Sequence, residues 1–427
     1  MALHKTNYGL IYNDDGSLCV TIRDDDVPFS GVRSFAVEEW TTNYFGSDAW
    51  NFDSDQSTFY PYALASGKTW EDCWDESQRA YIGGDNLTVY RIYTQSIDLG
   101  QVYSAGTKIT VSWKHKGYLW FVRLFYSENG TDFTAWNKDT DDIQIYGDAS
   151  LDFWEGSNGL HIKINGIRTN HSGHPEQLLD KWYDVKITYT LPTDARYIKF
   201  VWDFYWAYKA NNGKGVSGYI HHPQLEVKPF ATSFVDGSRP RGKLHIPSNS
   251  LGFNPPADDW VIAYWKKPIG THIGDLNGYN IDSLGEPTSG NLYIWWGKNK
   301  GTNELWLNVW DGSSVFHTAV PLDVNDFFNK WHFIVLTKVG DVFTLYYDGE
   351  QILQMIKNVS ALAMPTTGLL LADWIGNSAE PCTSLFSNLY IGKAKDENGH
   401  LIWDESYIQQ LYQAKRPFSV PPKLPIL

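Results

Sequence analysis

The sequence predicts an all-β chain of two antiparallel β-sandwiches with a short C-terminal helix. Three observations carry this. Period-2 alternation of apolar and polar residues recurs along the 427 residues; Gly, Asn and Asp turn signals separate the alternating segments; and the chain holds 20 Trp, 26 Tyr and 21 Phe against only 3 Met. Alternation places successive side chains on opposite faces of a strand, and aromatic residues suit pleated, half-buried surfaces.

The alternating segments include Lys108–Trp113, Lys186–Thr190, Tyr197–Trp202 and Phe343–Tyr347. Between such segments lie Glu128-Asn129-Gly130, Asn165-Gly166, Asn211-Asn212-Gly213 and Asp348-Gly349-Glu350, each rich in residues that tolerate tight turns. The clearest amphipathic helix runs from Asp404 to Gln413, with Tyr407, Ile408, Leu411 and Tyr412 at helical spacing. A chain of this length exceeds one ordinary core. The turn-forming stretch Asp236-Gly237-Ser238-Arg239-Pro240-Arg241-Gly242 marks the boundary. The expected division is an N-terminal segment 1–40, serving attachment or belonging to the first sandwich, a first sandwich over 41–235, a linker over 236–247, a second sandwich over 248–415, and a Pro-rich extended tail over 416–427.

Formal net charge is −14, which argues against nucleic acid or an anionic membrane as partner, since both attract positive fields. A neutral glycan is compatible. No apolar run is long enough to span a bilayer, and Met1-Ala2-Leu3-His4-Lys5-Thr6 has no apolar h-region, so no signal peptide is expected. Cys19, Cys73 and Cys382 match neither metal spacing nor a disulfide framework, and three free thiols are expected.

Two regions resemble known families. Residues 245–415 are similar to the laminin-G-like branch of the concanavalin A-like lectins and glucanases. The opening strand Trp260–Pro268, the hairpin Lys330–Leu336 with Val342–Glu350, and the closing Ser387–Gly392 followed by Trp403–Tyr412 carry that likeness. The first sandwich resembles jelly-roll carbohydrate-binding modules of phage tail proteins. Its closing pieces, Gln224-Leu225-Glu226 and Ala231-Thr232-Ser233-Phe234, resemble the phrase that precedes linkers in phage minor structural proteins. The resemblance implies fold and setting and names no ligand.

Catalytic signals are absent from the sequence. Sandwich glucanases carry two carboxylates on one strand, spaced to face the same groove. Glu304, Asp311, Asp323 and Asp326 do not alternate along one strand, so turn or surface duty and no hydrolase activity are expected. His171-Ser172-Gly173-His174 and His221-His222 lack further ligands at matching spacing and read as loop histidines. Calcium, which accepts oxygen ligands from irregular loops, is the more plausible metal. Asp24-Asp25-Asp26 and Asp139-Thr140-Asp141-Asp142 are the candidates, with Asp24, Asp26 and Asp141 foremost; solvated acidic turns are the alternative.

Aromatic faces are the most informative signal. In Leu305-Trp306-Leu307-Asn308-Val309-Trp310 one face is aliphatic and the other is Trp306, Asn308 and Trp310. In Leu292–Trp296, Tyr293 and Trp295 oppose Leu292, Ile294 and Trp296. Side by side, these strands would present an aromatic sheet face on which sugar rings stack. The competing expectation buries the same residues under loops or against another subunit. In the first sandwich, Phe200, Trp202, Phe204 and Trp206 share a core face, while Lys199, Asp203 and Tyr205 share the other as candidate carbohydrate contacts.

The reading is therefore a non-enzymatic virion structural protein of a tailed bacteriophage (a fibre, receptor-binding or decoration protein) that binds host-surface or environmental glycans. It would assemble in the host cytoplasm with other virion proteins, as a homo-oligomer, a trimer by analogy with fibres. The tail would dock in a groove of a neighbouring copy or another particle protein. A bacterial surface or secreted glycan-binding protein and a polysaccharide-degrading enzyme are the alternatives.

Overall fold

A computed structural model describes residues 4–418 apart from 6–9, 13–17, 24–25, 39–40, 47–50, 65–66, 85–88, 138–140, 153–158, 171–174, 205–216, 233, 235–236, 240–241, 243, 270–279, 300–301 and 373–382. The chain is all-β with antiparallel sheets, as predicted, and divides into two compact units. One comprises residues 41–239; the other comprises residues 1–40 together with 240–427.

In the 41–239 unit, one sheet runs in the order Thr134–Ala135, Phe121–Ser127, Ala195–Asp203, Val89–Thr94, Phe59–Leu64. The opposing sheet runs Ile143–Gly147, Tyr183–Thr190, Lys108–Gly117, Ser217–Glu226, Ala80–Gly84, Trp74–Asp75. Alternation decides what each sheet contributes to the core. Val122, Leu124, Phe200 and Trp202 from the first meet Val111, Trp113, Ile187 and Tyr189 from the second, all within one buried cluster. Trp113 meets Trp202 edge to face, with ring centroids 6.0 Å apart. Phe200, Trp202 and Phe204 are buried as expected; Trp206 lies outside the described residues.

The Gln224–Glu226 and Ala231–Phe234 phrase has a structural explanation. Glu226 is buried, and its carboxylate accepts from Gln224 Nε2 at 2.7 Å, from the Thr232 backbone N–H at 2.9 Å, from the Thr232 hydroxyl at 2.7 Å, and from the Thr41 hydroxyl. Entry and exit of the unit are thereby joined at one carboxylate, whose lone pairs are satisfied as a buried charge requires.

In the other unit, a nine-stranded sheet includes Ser34–Val37, Ser384–Lys393, Trp260–Pro268, His332–Val339, Val342–Tyr347 and Glu350–Ile356 in that order. The second sheet runs Leu244–Ile246, Leu369–Leu371, Asn280–Gly285, Tyr293–Lys298, Glu304–Trp310, Val315–Pro321. Residues 1–40 thus join this sandwich and not the first. Ser34–Val37 pairs antiparallel with Ser384–Ser387, Phe35 stacks on Phe386 at 5.7 Å, and Ala36 and Val37 are buried.

Local signals place the turns and the helix. Asp348 and Gly349 both adopt positive φ, closing the hairpin between Tyr347 and Glu350 as a two-residue turn. Helix Glu405–Ala414 is capped by Asp404, which accepts from Tyr407 N at 2.8 Å, and it buries Ile408 and Leu411. Phe418, expected with the rest of the tail in a groove of a neighbouring copy or another particle protein, instead packs against its own sandwich, 5.9 Å from both Phe333 and Trp403. The rest of the tail, 419–427, lies outside the described residues. Among the described residues no helix is long and apolar enough to cross a membrane.

Candidate functional site

Strand pairing brings the tryptophan-bearing segments together. Tyr293 lies opposite Trp310, and Trp295 opposite Asn308. Leu292, Ile294, Trp296, Leu305, Leu307 and Val309 face the core and are buried. The other face is narrower than expected. Trp295, Trp306 and Trp310 are half-buried, whereas Tyr293 and Asn308 are only 2% and 1% exposed. Tyr293 stacks on Trp295 with centroids 4.9 Å apart and serves as a support for that ring.

The tryptophans are held in place. Trp306 Nε1 donates to Glu304 Oε2 at 3.0 Å, and Trp310 Nε1 donates to the Thr288 carbonyl at 3.3 Å. The Trp306 ring meets His317 edge-on at 4.3 Å. His317, from the Val315–Pro321 strand, pairs in register with Asn308, and its Nδ1 lies 2.8 Å from Asn308 Oδ1. The amide oxygen accepts, so Nδ1 carries a hydrogen in this contact. Sequence reading passed over His317 because its strand shows no aromatic alternation; only register sets it beside Trp306 and Asn308.

The first sandwich offers a different face. Of its sequence candidates, Tyr205 lies outside the described residues. Asp203 is not a surface contact: it is 0% exposed and forms an ion pair with Arg91. Cross-strand pairing sets Arg123, Val201, Tyr93 and Tyr60 in one row, and Phe121, Asp203, Arg91 and Tyr62 in the next. Tyr60 and Tyr93 stack at 5.6 Å, Tyr62 tilts against Tyr93 at 5.6 Å, and Arg91 lies 5.4 Å over Tyr62. Arg91, Arg123 and the three tyrosines were missed in the sequence. Tyr60-Pro61-Tyr62 and Phe121-Val122-Arg123 alternate visibly, yet nothing local says that they are neighbours.

The remaining candidates take structural duties. Asp26 accepts from Lys267 Nζ at 2.7 Å and from Trp331 Nε1 at 2.9 Å, which ties its loop to the second sandwich instead of leaving an open calcium ligand. Asp141 accepts from the Asn137 N–H at 2.8 Å within its own turn. Asp24 lies outside the described residues. Among the described residues no group of three His, Cys, Asp or Glu side chains is placed to hold a metal. Asp311 pairs with Lys357 at 2.8 Å and is held well below the usual carboxylate range by that partner, Asp323 caps a helical turn, and Asp326 pairs with Lys330. His221 and His222 stack on each other at 3.6 Å, and burial pushes both pKa values down. His171 and His174 lie outside the described residues.

No protein-family model matches the chain, and no curated protein matches it in sequence. Solved structures with partial similarity include the heptameric SAP-like pentraxin of Limulus polyphemus, at 15% identity over 36% of this chain and 70% of that one, with TM-score 0.26. A Ruminococcus gnavus IT-sialidase CBM40 bound to α2,6-sialyllactose matches at 13% identity over 39% of this chain and 94% of that one, with TM-score 0.26. The binding domain of botulinum neurotoxin serotype G matches at 16% identity over 37% of each chain, with TM-score 0.27, so the likeness spans little more than a third of that structure. At such similarity they carry no function over to this chain.

Proposed function

We propose that this chain is a non-enzymatic glycan-binding protein and that the second sandwich's tryptophan face contacts the sugar. One observation carries the reading. Trp306 and Trp310 stand on the same face of one strand, opposite a fully aliphatic core face, half-buried and each anchored through its indole N–H. Four residues of strand separate their Cα atoms by about 13 Å. Fixed rings present apolar surface for sugar CH groups at little entropic cost, and the His317 imidazole beside Trp306 adds a polar group able to hydrogen-bond a hydroxyl.

The setting proposed is a tailed-bacteriophage particle, as a fibre, receptor-binding or decoration protein that works with other virion proteins, as a homo-oligomer. The sequence likenesses support it: a jelly-roll module closed by Gln224-Leu225-Glu226 and Ala231-Thr232-Ser233-Phe234, then a laminin-G-like module. A bacterial surface or secreted glycan-binding protein is the second reading, and a polysaccharide-degrading enzyme the third. A glycan array on wild type, Trp306→Ala and Trp310→Ala, run beside a reducing-sugar assay, tests the proposal. Binding that both substitutions weaken, without release of reducing ends, is expected. Binding indifferent to both tryptophans overturns the assignment of the face, and sustained release abolished by one Asp or Glu substitution overturns the non-enzymatic reading.

A further inference from the structure

One sheet face of the first sandwich carries a cation, Arg123, that forms no ion pair among the described residues. Arg123 points away from the core, since its neighbours Val122 and Leu124 lie in the buried cluster. Its Nε is buried and without a hydrogen-bond partner, and the guanidinium forms no ion pair among the described residues. Its close neighbour is the Phe121 ring, 4.5 Å from Cζ. Arg91, on the same face, is already committed to Asp203. Burial weighs against the charged form of Arg123, the Asp203 charge favours it, and the Arg91 charge opposes it. With Lys199 also on this face, three cations stand against one carboxylate among the described residues, in a chain whose net charge is −14. A local excess of positive charge in so acidic a chain is a specific arrangement and not a property of composition.

The surroundings are aromatic. Arg123, Val201 and Tyr93 are successive cross-strand neighbours, so Arg123 and Tyr93 are two strand spacings, about 10 Å, apart. Beyond them Tyr60 stacks on Tyr93, and Tyr62 is 53% exposed. Val201 between them is a short, apolar floor. A planar guanidinium that seeks an anion beside rings that suit sugar CH groups matches a ligand with both features in one residue.

We propose that this face is a second binding site, for a carboxylate-bearing saccharide, in which Arg123 takes the carboxylate and Tyr62 and Tyr93 pack against the ring. It is independent of the tryptophan face, which lies in the other unit. An acidic peptide would satisfy Arg123 but leave the tyrosines without a role, so the saccharide is the occupant the face favours.

Calorimetric titration of the full chain with galacturonate and glucuronate trisaccharides, with their methyl esters, and with a polyglutamate peptide tests this. The acids should bind at least about tenfold more tightly than the esters, and added salt should narrow the gap. Arg123→Gln should abolish that difference while circular dichroism and thermal melting stay as in wild type. Tyr62→Ala, at an exposed position, should weaken acid and ester alike. Trp306→Ala should leave this binding intact, which separates the two sites. No binding of either acid, equal binding of acid and ester, acid binding unchanged in Arg123→Gln, or tighter binding of polyglutamate than of the saccharides each overturns the proposal; the last outcome would mark a peptide site.

Discussion

Glu226 accepts hydrogen bonds from both the backbone N–H and the hydroxyl of Thr232, at 2.9 Å and 2.7 Å. With the Thr41 hydroxyl and Gln224 amide on the same carboxylate, four donors depend on one buried side chain. Glu226→Ala should therefore destabilise the first sandwich by about 3 kcal/mol or more, because the donors are left buried and unmet. Thr232→Val, which keeps the backbone donor, should cost about 1 kcal/mol. Urea unfolding of the two variants checks the ranking; equal losses would show that the carboxylate is not the hub.

In the second sandwich Lys266 Nζ donates to Asp282 Oδ2 at 2.7 Å, with both side chains 2% exposed. Asp282 also accepts from the Tyr264 hydroxyl at 2.5 Å and the Ala372 N–H at 2.7 Å, and Trp296 Nε1 donates to that hydroxyl at 2.8 Å. Lys266→Met leaves a buried carboxylate short of its counter-charge and should cost about 3–5 kcal/mol. Lys266→Met combined with Asp282→Leu should cost less than the sum of the single changes, since the unpaired charge is gone. A double-mutant cycle by denaturant titration measures the coupling, and strict additivity would refute it.

His115 should make the first sandwich acid-sensitive. The ring is 0% exposed, Nε2 lies 3.0 Å from the Gly117 carbonyl, and Nδ1 is buried without a hydrogen-bond partner among the described residues. Burial, opposed only by that carbonyl, brings its pKa down to about 4. The unfolded chain protonates first, near pH 6.5, so stability is complete above that value and falls as pH drops toward 4, by about 3 kcal/mol. His221 and His222, depressed by burial and by the nearby Lys114 and Arg79 charges, slope in the same direction. Unfolding free energies at pH 7, 6, 5 and 4 should show this loss, and His115→Gln should reduce it, leaving the slope of His221 and His222.

Trp306→Ala should weaken sugar binding at the tryptophan face by about 1–3 kcal/mol, as loss of a stacking ring does elsewhere. Folding should survive, because Leu305, Leu307 and Val309 remain to fill the core. Glycan affinity and melting temperature should be read on the same preparation. An unfolded variant would mean that the ring's contact with His317 is structural.

The fold and the helix were legible because their causes are local. Alternation in Leu305–Trp310 divides the faces by strand geometry alone, Asp348-Gly349 supplies the positive φ of a two-residue turn, and Asp404 caps the helix that follows. The sites were legible only in part. Alternation names the face on which Trp306 and Asn308 stand, but not what covers it, so the burial of Tyr293 and Asn308 had no sequence signal. The placement of residues 1–40 depends on a partner strand at Ser384–Ser387, more than 300 residues away in the chain. Arg123, Asp203 and Arg91 become neighbours through a strand order that crosses over instead of following the chain. A strand's sequence determines its period and its two faces. Which strand lies beside it, and in what register, is decided by burying all the apolar faces at once, and that belongs to the tertiary structure alone.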